Sequence, residues 1–90
     1  MNELITKISR IAALTTDGVA SLANPIDVFV SKKKEMFEVD IYLVVNFGVK
    51  IPEIAWNVQE NIKNALEKEG ITAVEHINIH VQGVKIAEDK

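Results

Sequence analysis

Met36-Phe37-Glu38-Val39-Asp40-Ile41-Tyr42-Leu43-Val44-Val45-Asn46-Phe47 decides the fold. Phe37, Val39, Ile41, Leu43, Val45 and Phe47 fall on one side of an extended chain. Glu38, Asp40, Tyr42, Val44 and Asn46 fall on the other. A period of two over this length predicts a long strand with one buried face and one polar face. A sheet with one greasy face needs a cover, and the flanking segments supply it.

Downstream, Pro52 and Glu53 mark a helix start, because proline suits the first turn and an acid favours the positive end of the helix dipole. Ile54, Ala55, Val58, Ile62, Ala65 and Leu66 then recur at helical spacing, and Gly70 marks the stop. Upstream, Leu4, Ile5, Ile8, Ile11 and Ala12 predict a first helix over residues 2–15. In this reading Asn2 caps it, Gly18 ends it, and Lys7, Ser9 and Arg10 lie opposite the stripe.

Three further strands complete the pattern. Val19 to Leu22 is a short one, followed by a turn at Asn24-Pro25. Ile26 to Val30 is the second, and the polar run Ser31-Lys32-Lys33-Lys34-Glu35 is read as the hairpin loop into the long strand. The last runs from about Thr72 to Ile86. Its apolar parity is odd at Ala73, Ile77, Ile79 and Val81 and even at Val84 and Ile86, which predicts a bulge or strand end at Gly83.

The order α-β-β-β-α-β gives an α+β fold, a two-layer α/β sandwich. Its sheet is mixed, and both helices lie on one face. The second helix joins the two longest strands as a crossover and makes them parallel. Residues 1–90 are read as a single domain.

Composition narrows function by exclusion. The 90 residues carry 13 acids against 10 bases, a net charge of −3, with 48% apolar residues and no cysteine. Thiol catalysis, disulfides and cysteine-ligated zinc are therefore excluded. The longest apolar run, Ile41 to Val45, is far short of the roughly 20 residues that cross a bilayer. Met1-Asn2-Glu3 lacks the basic start of a secretory leader, so a soluble intracellular domain is expected. The acid excess counts against nucleic acid as a partner. A core this small favours self-association, so a homo-oligomer is expected.

Catalytic motifs are missing from the sequence: it has no glycine-rich phosphate loop, no nucleophile elbow and no two-histidine zinc helix. His76 and His80 lie four apart on a strand, about 13 Å, too far to share one metal ion, and read as residues of a solvated sheet face. Glu38, Asp40 and Tyr42 share the polar face of the long strand. If the two long strands are neighbours, those acids face His76, Asn78 and His80, and histidine makes such a contact sensitive to pH near neutrality. Lys32-Lys33-Lys34 reads as a charged hairpin tip that discourages edge pairing.

Trp56 stands apart. At 100° per residue it falls opposite the apolar stripe of the second helix, among Glu60, Lys63 and Glu67. A tryptophan on a charged face is read either as an interface residue or as a ring lying flat on neighbouring aliphatic stems or under a terminus. Trp56 with Glu60 and Lys63 is one candidate contact surface. The outer sheet face around Tyr42, His76 and His80 is a second.

Several blocks resemble the alkaline shock protein family of Gram-positive bacteria. They are Gly48-Val49-Lys50-Ile51-Pro52-Glu53-Ile54-Ala55, Val58-Gln59-Glu60-Asn61-Ile62, and Ile77-Asn78-Ile79-His80-Val81-Gln82-Gly83-Val84. Tyr42 to Val45 and Asp17-Gly18-Val19 fit its long strand and opening turn. The resemblance spans about Leu4 to Val84. It implies a protein that is not an enzyme and needs no cofactor, linked to cell-envelope stress and cytoplasmic. It also implies assembly into oligomers and recruitment to the membrane periphery through a membrane-anchored protein partner. The alternative from element order is a small K-homology-like RNA-binding domain, against which stands the missing Gly-x-x-Gly loop.

Overall fold

The computed structural model describes residues 1–86. The elements run α1 (Asn2–Leu14), β1 (Val19–Leu22), β2 (Val28–Lys33), β3 (Met36–Asn46), α2 (Ile51–Lys68) and β4 (Val74–Lys85). This is the expected α-β-β-β-α-β order and an α+β fold. The single-domain reading extends to residue 90, and residues 87–90 lie outside the described ones.

β3 is the centre of the sheet. β1 and β2 pair antiparallel with it, β1 along Leu43 to Val45 and β2 along Met36 to Ile41. β4 pairs parallel with it over nearly its whole length. The sheet is therefore mixed, as the crossover argument requires. β1 and β2 share one edge of β3 in succession, and the Asn24-Pro25 bend separates them.

Alternation in β3 is complete: Phe37, Val39, Ile41, Leu43 and Val45 are buried and the residues between them are half-buried. Both helices cover this face. α1 lies over β1 and β2, and α2 lies over β4. Ile54, Val58, Ile62 and Leu66 of α2 join the β3 residues in one apolar cluster. Such side chains contribute about 1.5–3 kcal/mol each on burial.

α2 ends in a way its sequence explains. Gly70 takes φ +76, its N–H donates to the Glu67 carbonyl, and the Ile71 N–H reaches back to Leu66. These are the two bonds of a Schellman motif, and Ile71 and Leu66 both belong to the core.

Six expectations are corrected. α1 turns a different face inward: Ile5, Ser9, Ala12 and Ala13 are buried, while Leu4 and Ile11 are exposed. Three of these four inward residues are small, and size-weighted periodicity misses them. Met1, not Asn2, precedes the first turn, without a side-chain cap. Gly18 does not end α1, which stops at Leu14; it forms the turn into β1 with φ +95. The hairpin loop is shorter than Ser31–Glu35, because β2 runs to Lys33 and only Lys34-Glu35 turn, Lys34 at φ +55. β2 accordingly ends at Lys33 instead of Val30, and it also begins later, at Val28 instead of Ile26. Phe47 leaves the alternation: β3 ends at Asn46 and Phe47 is 71% exposed.

The parity switch in β4 is a bulge. Leu43 opposes Val81 and Val44 opposes Gly83, so Gln82 is the extra residue. A second extra residue, Glu75, lies between the partners of Phe37 and Glu38.

Candidate interaction surfaces

The β3–β4 register brings the polar residues of the outer sheet face together. Glu38 opposes His76, Asp40 opposes Asn78, and Tyr42 opposes His80. The Asn78 amide donates to Glu38 Oε2 at 2.7 Å and to Asp40 Oδ1 at 3.2 Å. His80 Nε2 lies 2.9 Å from Asp40 Oδ1. The His80 ring stacks on Tyr42, with centroids 4.4 Å apart and planes 14° apart. One strand-pair register thus yields a fixed polar plaque of five side chains. His76 stays outside it, with only a 3.9 Å approach to Glu75. Phe29 of β2, opposite Asp40, adds an exposed aromatic ring to this face. Phe29 lies inside the strand expected from the sequence, but the sequence alone does not assign its face, because the pairing of β2 with β3 sets that face.

α2 and β4 form the second surface. Trp56 is 59% exposed. It lies with Pro52, Ala55 and Gln59 against the Ile77–Ile79 stretch of β4. Glu60, Lys63 and Glu67 continue the same helix wall alongside Thr72 to Ile77. Between helix and strand runs a shallow groove. Gln59 bridges it, its Nε2 donating to the Ile77 carbonyl at 2.8 Å. The sequence offered no signal for Gln59, since a polar residue on a helix flank reads as solvated. Trp56, Glu60 and Lys63 therefore share one surface, and that surface borders the free edge of the sheet.

Two other groups have structural roles. Arg10 forms a two-pronged ion pair with Asp27 at 2.9 and 3.1 Å, tying α1 to the chain just before β2. The Asp27 carboxylate also accepts the Val28 N–H. The Arg10 hydrogen bond holds the Asp27 carboxyl below its usual range, against the opposing effect of desolvation. Lys32 places its ammonium 5.4 Å from the Phe37 ring centroid, so it shields the core margin. Among the described residues no group of three or more potential metal ligands occurs, and no helix is long and apolar enough to cross a membrane.

The architecture defines a two-layer α+β domain with a polar plaque on one face and a tryptophan-lined groove at one edge. Residues 1–86 match the model of the ASP23 family, described as of cell envelope-related function, and the chain belongs to that family, in line with the alkaline shock protein resemblance. It is 34% identical to the uncharacterized protein YqhY of Bacillus subtilis (strain 168), over 92% of this chain and 73% of that one. It is 39% identical to YloU of the same organism, over 63% of this chain and 48% of the relative. Among solved structures, a copper form of the MamM CTD superposes with a TM-score of 0.72 at 15% identity. That match covers 98% of this chain and 91% of the other. A second MamM CTD structure gives 0.64 at 16% identity, over 92% and 99%. At such identity the likeness establishes the fold.

Proposed function

We propose that this chain is a non-enzymatic interaction module of the cell-envelope stress response or envelope homeostasis. It self-associates or docks onto an envelope-associated protein from the cytoplasmic side. The contact surface is the α2 face carrying Trp56, with Glu60 and Lys63 as its polar rim. The observation that carries this reading is Trp56 itself, a large aromatic side chain left mostly exposed beside an unpaired sheet edge. Tryptophan in the middle of a patch with a charged rim is the composition of a binding hot spot. Cell envelope-related family membership supplies the context.

The experiment compares wild type and Trp56→Ala by sedimentation velocity, alone and mixed with the detergent-solubilised envelope fraction. Circular dichroism and urea unfolding serve as fold controls. A folded variant that loses association supports the proposal. A folded variant that associates as wild type does removes Trp56 from it.

A further inference from the structure

β4 presents the longest unpaired edge among the described residues. It has 12 residues, and among the described residues β3 alone pairs with it. Its two bulges decide which main-chain groups point outward. The Ala73 carbonyl accepts the Phe37 N–H and the Lys85 carbonyl accepts the Phe47 N–H, so both face β3. The extra residue Glu75 reverses the alternation, and the Ile77 carbonyl faces away from β3, toward Gln59. Ile79 and Val81 follow the same parity until Gln82 reverses it again. A regular stretch between the bulges therefore presents Ile77, Ile79 and Val81 to the outside. Their side chains are only half-buried, whereas their β3 partners Val39, Ile41 and Leu43 are fully buried.

Between its two bulges this edge lacks charged and proline protection, and the Gln59 side chain occupies only one lone pair of the Ile77 carbonyl. From His76 to Val84 there is no Lys, Arg, Asp, Glu or Pro. Edge strands that must stay single carry such residues. The opposite side of the sheet does carry them: the bend at Pro25 interrupts β1 and β2, and β2 ends in Lys32 and Lys33.

We propose that the occupant of this edge is a second copy of the chain, paired antiparallel β4 to β4, with the two-fold axis at Ile79. The pairing names the partner for the self-association arm of the function proposed above and rests on that reading. In this register Ile79 meets its own copy, Ile77 meets Val81, and Asn78 meets His80. Apolar side chains face apolar ones on the core side, and an amide faces an imidazole on the outer side. No like charges are opposed in the regular stretch, so the charge pattern is compatible with its own copy. Trp56 lies at the level of Ile77 to Ile79, close to the axis, so each copy brings its exposed indole to the seam.

Engineered cysteines test the register, because the chain has none of its own. Residues exchanging both main-chain hydrogen bonds have Cα atoms about 5.5 Å apart, within disulfide reach. Ile79→Cys should give a disulfide dimer under mild oxidation. Should that variant fail to fold, the surface pair serves instead. An equimolar mixture of Asn78→Cys and His80→Cys should cross-link in mixed pairs, with either variant alone at least tenfold less reactive. Val81→Lys, a charge at the seam, should weaken the dimer at least tenfold by light scattering. A wild-type monomer at all concentrations overturns the pairing and leaves the docking arm of the proposed function standing. A dimer without cross-links at these positions overturns the pairing alone. Cross-links that persist in Trp56→Ala at undiminished affinity sustain the pairing and refute the role given to Trp56.

Discussion

The side-chain amide of Gln59 in α2 donates to the main-chain carbonyl of Ile77 in β4 at 2.8 Å, so the helix that covers the sheet also grips its open edge. This tie spans the groove between the Trp56 wall and the strand, beside the apolar packing of α2 on the sheet.

Gln59→Ala should therefore loosen the groove more than it damages the core. A half-exposed hydrogen bond of this kind contributes about 0.5–1.5 kcal/mol. Urea unfolding should show a loss within that range. Self-association should persist, since the freed Ile77 carbonyl remains available to an incoming strand.

Gly18 is the backbone position least tolerant of a side chain. Its φ is +95, and a Cβ there would lie 2.6 Å from Ile54 Cδ1. Left-handed backbone alone costs a non-glycine residue about 1–2 kcal/mol, and displacement of Ile54 adds to it. Gly18→Ala should lower unfolding free energy by about 2 kcal/mol or more, read from denaturant midpoints at unchanged slope.

Ser9 is buried against the sheet side of α1, and its hydroxyl has no hydrogen-bond partner among the described residues. An unpaired buried hydroxyl costs about 1–3 kcal/mol on protein-based scales. Ser9→Ala removes it with little change in volume. The variant should match or exceed wild-type thermal stability, and a lower melting temperature would contradict this description of the site.

The Arg10–Asp27 pair gives stability a dependence on acid. Arg10 lowers the folded-state pKa of Asp27, chiefly through the hydrogen bond. A carboxyl with a depressed folded-state pKa adds stability that is present above its unfolded value, about 3.9, and lost as pH falls through the lowered folded value. Wild type should exceed Asp27→Asn in urea midpoint near neutral pH. The gap should shrink below about pH 4. Both side chains are partly exposed, so added salt should also narrow it.

Much of the fold was legible because the strongest signals are periodic and long. β3 alternates without a break from Phe37 to Val45, and α2 repeats a large apolar residue at each turn from Ile54 to Leu66. The β4 bulge was legible as a change of parity around Gly83. α1 was harder to read, since its inward face is built from Ile5, Ser9, Ala12 and Ala13. Three of these are small, and large exposed residues such as Ile11 dominate a hydrophobic periodicity. The β2 boundary was hidden because Lys32 and Lys33 continue the strand while looking like a loop. Of the candidate surfaces, the exposure of Trp56 followed from helical phase alone. Its place beside β4 depended on the crossover, and Gln59 left no trace in the pattern. The plaque was legible as facing rows of acids and histidines. The sequence did not reveal that Asn78 links them and His76 stands aside.

The chain has one tryptophan, Trp56, so its tryptophan emission arises from the proposed contact residue. The most direct test records the Trp56 emission maximum and the mass from light scattering along the same concentration series. Burial of Trp56 in the contact predicts a shift to shorter wavelength that follows the rise in mass. A rise in mass with an unchanged, solvent-exposed emission would contradict the account.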